Sequence, residues 1–353
     1  SALAEADDDD DWDDNVDDAW EMEHPLHSGD YAYALLDDGT VEITSYGGAD
    51  TEIVIPDTLD GKPVTAIGER AFYYSLSLTS VTIPDSVTHI SQKAFSCCFQ
   101  LTSITLPSGL TAIESGTFDL CKSLTTIDIP DSVAAIADDA FIGCKALQSF
   151  TLSPNHPYFF LADDALCRTA DSTLLLYPNA REPRTYRIPD GITAISAYAF
   201  YDCDLLESVV VPDSVTQLPA RAFSGCSALA SVSLPDSLTE VGTAAFSGCS
   251  ALTGIRIPAA ITEIINHTFS GCTSLATLEI PDSVTKIGDY AFFGCTSLTS
   301  IAIPDSVTAI GNGAFSNCTA LTLTVTPDSY AAEYAKANNI PYTYPDANDW
   351  LNN

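Results

Sequence analysis

The sequence predicts a solenoid, a stack of similar coils that builds its core by repetition. A 23-residue unit, typified by IPDSVTKIGDYAFFGCTSL at Ile280–Leu298, recurs along most of the chain. Short apolar alternations, typical of half-buried strands, stand on both sides of the proline in each unit. Repeats of 20–50 residues indicate stacked units that cannot bury a core alone. We therefore expect 23-residue coils of the α/β repeat class, made mainly of short parallel strands with turns and short helical segments.

The chain begins with an extremely acidic stretch. Ser1–His24 contains 12 acidic residues and no basic one. Such a segment cannot bury enough apolar surface to fold alone, so residues 1–30 are predicted to be an acidic flexible tail, with weak calcium binding as the alternative. The formal net charge of the whole chain is -35, which disfavours nucleic acid or anionic lipid as a partner because both need cationic patches.

Residues 31–55 are predicted to be an N-terminal hairpin cap. Two β-prone runs, Tyr31–Leu36 and Val41–Tyr46, flank the turn sequence Asp37–Thr40. Such a hairpin would cover the first coil, whose open edge would otherwise pair with other molecules.

Residues 56–327 are predicted to be the solenoid itself. In one unit, Leu278 and Ile280 alternate with polar residues as a half-buried strand requires, and Pro281 ends the strand. Asp282 then favours a turn, and Phe292 is expected to fill the interior. The same interior position holds Phe95, Phe118, Phe141, Phe200, Phe223, Phe246, Phe269, Phe292 and Phe315.

Nine of the eleven cysteines occupy one repeat position. A residue repeated at one solenoid position stacks on its own copies, and free cysteine is among the most buried residue types. We expect a buried, reduced column with no disulfides inside it, and no zinc site, because CxxC spacing is absent. The column consists of Cys98, Cys121, Cys144, Cys203, Cys226, Cys249, Cys272, Cys295 and Cys318.

An enlarged coil at residues 153–188 interrupts the repeat. It is expected to form three short strands as a protruding hairpin, at Tyr158–Leu161, Ala165–Cys167 and Leu174–Tyr177. Insertions in repeat proteins often carry binding sites, so Arg181 and Arg184 are candidate binding residues. The alternative is a neutral structural bulge, since four arginines here balance four acidic residues.

Residues 328–353 are predicted to be a C-terminal cap and tail. Asp328–Asn338 is Ala-rich with the spacing of a short helix, and Ile340–Tyr344 is expected to add a final strand. Together they would cover the last coil, as terminal repeats must.

The repeat pattern IPDSVTxIGxxAFxGCxSLTSIxIP resembles the BspA-like, or treponemal-type, leucine-rich repeats. The resemblance covers about Tyr31 to Tyr344. It implies a leucine-rich repeat solenoid and an exported, cell-surface or secreted bacterial protein, and for some relatives adhesion to host matrix proteins or other bacteria. The family has no shared catalytic motif, so the resemblance implies no catalytic residues.

The residues themselves also favour a protein that is not an enzyme. The motifs of serine hydrolases, zinc proteases, P-loops and dinucleotide sites are missing from the sequence. One aspartate per coil follows the proline, which raises the alternative of calcium between coils. Each coil offers only one carboxylate there, whereas calcium takes 6–8 oxygens, so a turn-forming role is favoured and no cofactor is expected.

Binding residues are expected where copies depart from the consensus. The outward positions of the predicted sheet are mostly small and hydroxylic, and Asp128, Arg256 and Glu279 stand out there. At a turn position, Tyr73, Tyr201 and Phe293 replace the usual serine, and protein hot spots favour tyrosine and arginine. The alternative is an idle, solvated sheet.

We therefore expect an adhesin-like binding protein, secreted or displayed on a bacterial cell surface. Its partner would be a host extracellular protein or glycan, or another cell-surface protein, and the chain would be a monomer without membrane insertion. The alternative is a non-catalytic scaffold or accessory module of a larger secreted or envelope complex.

Overall fold

The computed structural model describes residues 25–345, which form a stack of coils in which each strand lies beside its counterpart in the next coil. Ser80–Thr82 pairs in parallel with Ser103–Thr105, so that Val81 lies opposite Ile104. The predicted solenoid is confirmed, although the coils close by turns and not by helical segments. The expected tail at residues 1–24 and the residues after 345 lie outside the described part.

Each coil contributes one strand of three residues to a surface that we call the long-strand sheet. The middle residue of each strand points into the core while its neighbours face solvent, because successive side chains alternate between the two faces. These strands are Glu52–Val54, Ser80–Thr82, Ser103–Thr105, Thr126–Asp128, Ser149–Thr151, Thr185–Arg187, Ser208–Val210, Ser231–Ser233, Gly254–Arg256, Thr277–Glu279, Ser300–Ala302 and Thr322–Thr324.

A second series of parallel strands, here called the short-strand sheet, follows the proline turn of each coil. It begins with the longer strand Lys62–Ile67, against which Thr58–Leu59 pairs antiparallel. The remaining strands of this series are His89–Ile90, Ala112–Ile113, Ala135–Ile136, Ala194–Ile195, Gln217–Leu218, Glu240–Val241, Glu263–Ile264, Lys286–Ile287 and Ala309–Ile310.

Phenylalanine and cysteine ladders fill the interior. Phe223 and Phe246 stack with ring centroids 5.5 Å apart and planes 4° apart, and the other ladder rings stack similarly. Each column cysteine is buried except Cys318, which is partly buried, and all eleven thiols are free. The burial predicted for the column is therefore confirmed for eight of its nine members.

The N-terminal cap has one more strand than expected. Leu26–Ser28 pairs antiparallel with Tyr31–Leu35, which pairs antiparallel with Val41–Tyr46. Ser28 Oγ and Tyr33 Oη donate hydrogen bonds of 2.9 and 2.7 Å to the Asp60 carboxylate, which attach this cap to the first coil. The cap therefore begins inside residues 25–30, which had been assigned to the tail.

The boundary between cap and solenoid also differs from the expected residue 56. Glu52–Val54 is already the first strand of the long-strand sheet, because it pairs in parallel with Ser80–Thr82.

The insertion does not protrude. Its strands Phe159–Ala162, Ala165–Arg168 and Thr173–Leu176 form an antiparallel meander that crosses the molecule and divides the core into two clusters. Leu166 and Leu175 pack in the N-terminal cluster, whereas Cys167 and Leu174 pack in the C-terminal cluster. The prediction of a protruding hairpin was wrong because these strands are apolar on both faces, as strands buried on both sides are.

The meander repeats the topology of the N-terminal cap. In both, three antiparallel strands lead into a parallel pairing with the short-strand sheet, and a bulge interrupts the second pairing at the same place. Tyr46 and Tyr177 occupy matching positions, and their amides donate 2.8 Å hydrogen bonds to Ala71 and Ala199. The chain thus consists of two modules, here called the N-terminal module (residues 25–152) and the C-terminal module (residues 153–345).

A helix and a strand cover the last coil. The helix Tyr330–Ala337 begins at Ser329, whose hydroxyl accepts a hydrogen bond from the Ala332 amide, and three of its four alanines face the core. Tyr342–Thr343 pairs in parallel with Thr322–Thr324. Within residues 25–345, no helix is long and apolar enough to span a bilayer.

Candidate functional site

Three predicted site residues lie on the long-strand sheet. Asp128, Arg256 and Glu279 are each the last residue of a three-residue strand, and each faces solvent because the middle residue of the strand points inward. The structure brings two of them together, since Arg256 lies directly opposite Glu279 in the parallel register. Asp128 is on the N-terminal module, far along the stack.

The sheet is concave around Arg256 and Glu279. A cavity of about 910 Å³ opens there, and its lining includes Gly254 and Ser300. A neighbouring cavity of about 600 Å³ contains Arg187 and shares Arg256 with the first. We call this continuous surface on the C-terminal module the groove.

One coil beside the groove lacks the polar turn of its neighbours. In neighbouring coils an aspartate stands after the proline, and the next residue is a serine. The hydroxyls of Ser214 and Ser283 donate to the carbonyls of Ile192 and Ile261, at 2.6 and 2.7 Å. The corresponding residues in the coil of Arg256 are Ala259 and Ala260, which are exposed and apolar.

The two arginines of the groove form ion pairs, whereas some of its carboxylates do not. Arg256 Nη1 lies 2.6 Å from Asp236 Oδ1, and Arg187 Nη2 lies 3.3 Å from Asp190 Oδ1. In the described part of the chain, neither Glu279 nor Asp282 makes an ion pair. A ligand would therefore meet a guanidinium and a free carboxylate side by side, and could bind both by charge-assisted hydrogen bonds.

The three predicted aromatic residues lie on the turn edge, which is the stretch of each coil from two residues before the ladder phenylalanine to the residue after the ladder cysteine. Tyr73 is 46% exposed, whereas Tyr201 and Phe293 are partly buried. Burial, and then the nearby Asp202, raise the pKa of Tyr201. These residues are separated along the stack and do not form one site.

The two arginines of the insertion differ in exposure. Arg181 is only 10% exposed at its side chain, because its guanidinium lies over the rings of Tyr177 and Tyr186 and pairs with Asp164 at 3.1 Å. This position holds the meander against the C-terminal core, so Arg181 is left out of the surface proposed below. Arg184 is exposed and pairs with acidic residues on both sides.

The aspartates after the prolines serve the turns. Asp85 Oδ1 accepts a 2.8 Å hydrogen bond from the Ser108 amide of the next coil, and Asp131 accepts one of 2.6 Å from Ser153. Among residues 25–345, no three acidic, histidine or cysteine side chains come close enough to hold a metal ion.

Sequence reasoning passed over other unusual residues on the turn edge. Tyr74 and Phe99 stand where the later coils have glycine and a hydroxyl residue, and Arg70 and Lys122 lie beside them. The signal was present, since these positions also depart from the repeat, but only the structure shows that they are neighbours.

Comparison with known proteins agrees with this architecture. The family model of the BspA type leucine rich repeat region matches residues 51–161 and 190–322, in six copies. None of the curated proteins compared with the chain matches it.

Several solved structures are similar over most of the chain. A leucine rich cell surface protein from Faecalibacterium prausnitzii is 30% identical, with a TM-score of 0.51, and the match covers 93% of this chain and 97% of that protein. A leucine-rich repeat protein from Eubacterium ventriosum is 23% identical, with a TM-score of 0.62, over 82% of this chain and 93% of its own. The pneumococcal vaccine antigen PcpA is 16% identical, with a TM-score of 0.64, over 92% of this chain and 99% of its own. The last two similarities concern the fold alone.

Proposed function

The chain belongs to the BspA type leucine-rich repeat family, and from that membership we propose that it is a non-catalytic binding protein of a bacterial cell surface or its surroundings. Its partner would be a host extracellular protein or glycan, or another cell-surface protein. The net charge of -35 supports a monomer that avoids nucleic acid and anionic lipid, because like charges repel.

One observation carries the location of the binding surface. In the groove, Arg256 and Glu279 replace the small hydroxylic residues that are common on the long-strand sheet, and they lie opposite each other on neighbouring strands. The exposed, apolar turn at Ala259 lies beside them. Concave surfaces with a few convergent polar groups are the usual ligand sites of proteins.

The proposal is tested with an array of immobilised extracellular matrix proteins, bacterial surface proteins and glycans. We expect saturable binding to at least one of them, and at least a tenfold loss of affinity for Arg256→Ser combined with Glu279→Thr, which installs residue types found at this position in other coils. Asp128→Thr is the matched control, because Asp128 has the same position in a strand outside the groove, and it should leave binding unchanged.

The array contradicts the proposal if no component binds saturably. It also contradicts the groove as the site if the double variant binds as well as the unaltered protein.

A further inference from the structure

Three aromatic side chains lie together on the turn edge of the N-terminal module. The ring centroids of Tyr73 and Tyr74 are 5.3 Å apart, and those of Tyr74 and Phe99 are 5.4 Å apart. Tyr73 and Tyr74 are 46% and 51% exposed, and the nearby Leu76 is 50% exposed. Their apolar surface thus remains in water, where it contributes little to the core.

The backbone of one of these residues, Tyr74, has an unfavourable conformation. Tyr74 has φ +62°, in the left-handed region that disfavours residues with a β-carbon. Glycine adopts this conformation without steric cost. Glycine occupies the same position in later coils, at Gly225, Gly248, Gly271 and Gly294, whereas Cys97, Leu120, Asp202 and Asn317 share the left-handed backbone of Tyr74.

Two cations complete the cluster. The guanidinium carbon of Arg70 lies 5.9 Å from the centroid of Tyr73, and Lys122 Nζ lies 4.7 Å from the centroid of Phe99. Arg70 Nε is also 3.9 Å from Glu69 Oε1. Both side chains are about half exposed, and ion pairs between exposed side chains contribute little free energy. In a chain with 13 basic and 48 acidic residues, an edge with two cations is unusual.

We propose that this aromatic edge patch, formed by Arg70, Tyr73, Tyr74, Phe99 and Lys122, is a second binding surface, and that it docks a protein presenting an apolar side chain bordered by carboxylates. The apolar side chain would pack on the rings, and the carboxylates would pair with the two cations. Tyrosine and arginine are the residue types that dominate protein–protein hot spots.

The geometry favours a protein over a saccharide or a second copy of the chain. The rings are tilted by 53° and 71° to one another, so they form no continuous flat platform for the successive rings of an oligosaccharide. Two copies of a chain with a net charge of -35 repel each other, whereas a local acidic border on another protein matches Arg70 and Lys122. The patch lies on the N-terminal module, apart from the groove, so the proposal does not depend on what the groove binds.

The test replaces the rings by residues that another coil already carries. The triple variant Tyr73→Ser, Tyr74→Gly, Phe99→Ser reproduces the Ser224, Gly225 and Ser227 of a later coil. Because the glycine relieves the strained backbone, the midpoint of thermal unfolding should stay the same or rise. The matched control is Tyr290→Ser with Phe293→Ser, which removes an aromatic pair from the same edge of the C-terminal module.

The probe is a phage-displayed library of random 12-residue peptides selected on the unaltered protein. We expect selected peptides to combine an aromatic or aliphatic residue with aspartate or glutamate, and to bind the triple variant at least tenfold more weakly and the control variant equally well. Arg70→Gln with Lys122→Gln should weaken binding and flatten its dependence on salt.

Four outcomes would overturn the proposal. The first two are that selected peptides bind the triple variant as tightly as the unaltered protein, and that selected peptides are basic. The third is a saccharide on a glycan array whose binding the triple variant loses, which would assign the patch to a sugar. A fall of more than 5 °C in the unfolding midpoint of the triple variant would make the rings packing residues.

Discussion

At the scale of single residues, the cysteine column does more than fill space. The thiols of Cys226, Cys249 and Cys272 donate to the carbonyls of the ladder phenylalanines Phe200, Phe223 and Phe246, at 2.9–3.2 Å. Each bond joins two successive coils and gives a second donor to a buried carbonyl that already accepts a hydrogen bond from the backbone amide three residues further on. The cysteine was expected to be buried and reduced, and its further role as a donor depends on the backbone of the preceding coil.

The buried thiols should make the protein labile at alkaline pH. Burial raises the pKa of Cys98, Cys167 and Cys272 to about 12, compared with about 8.5 in an unfolded chain. Because the folded state holds these protons more tightly, their contribution to stability is complete below about pH 8.5 and is lost as the pH rises toward 12. Three such thiols lower the free energy of unfolding by about 4 kcal/mol per pH unit within that window.

Urea unfolding measured between pH 7 and pH 10.5 checks this expectation, and a constant midpoint above pH 9 would contradict it. Cys318 provides an internal comparison, since it is partly buried whereas the other cysteines of the column are buried. It should react with a thiol reagent in the folded protein before any other column cysteine.

At the scale of elements, the same three-stranded meander occurs as the N-terminal cap and as the internal divider of the core, with different side chains in the two places. In the N-terminal cap its second and third strands carry Ala32 and Thr44, whereas the matching residues of the internal meander are Leu166 and Leu175. The internal meander needs an apolar outer face because the last coil of the N-terminal module packs on it. His156 assists at this junction, since its Nε2 lies 3.0 Å from the Pro130 carbonyl oxygen.

Leu175→Thr should therefore destabilise the protein strongly. Leu175 is 3% exposed in the N-terminal core, and shortening a buried leucine costs about 2–5 kcal/mol, to which the buried hydroxyl adds. Urea unfolding followed by tyrosine fluorescence measures the change. Leu161→Thr is the control, because Leu161 is 38% exposed on the edge strand of the same meander and should cost less than about 1 kcal/mol. Equal losses for both variants would contradict the internal position of Leu175.

At the scale of the whole molecule, two cores share one meander. The phenylalanine ladder stops at Phe141 and resumes at Tyr177, which stacks on Phe200 at 5.2 Å. Polar contacts across the junction are exposed, such as Lys145 Nζ at 2.7 Å from Asp204, and such pairs contribute little. The apolar face of the meander therefore supplies most of the attachment between the modules.

Residues 153–345 should fold without the N-terminal module if this apolar face is made polar. We expect the fragment with Leu166→Ala and Leu175→Thr, which copies the cap residues Ala32 and Thr44, to be a folded monomer. The unaltered fragment should associate through its uncovered leucines, because large exposed apolar patches drive association. Size-exclusion chromatography and circular dichroism measure both properties. An unfolded double variant, or a monomeric unaltered fragment, would contradict the assignment of two modules.

The sequence by itself determined the coil. The 23-residue period, the strand that ends at Pro281 and the interior Phe292 and Cys295 are local patterns, and a repeat multiplies each local signal many times. It also indicated Arg256 and Glu279, since a departure from a repeat is visible without coordinates.

Only the tertiary structure decided which of these residues meet. The opposition of Arg256 and Glu279, the burial of Arg181 and the neighbourhood of Tyr74 and Phe99 depend on how coils stack and curve. The insertion is a further example. From the sequence alone, its apolar strands could either cover one end of the solenoid or lie inside it and divide the core. The packing of Leu175 against the N-terminal core resolves that choice, since buried apolar area is a property of contacts between coils and not of one segment.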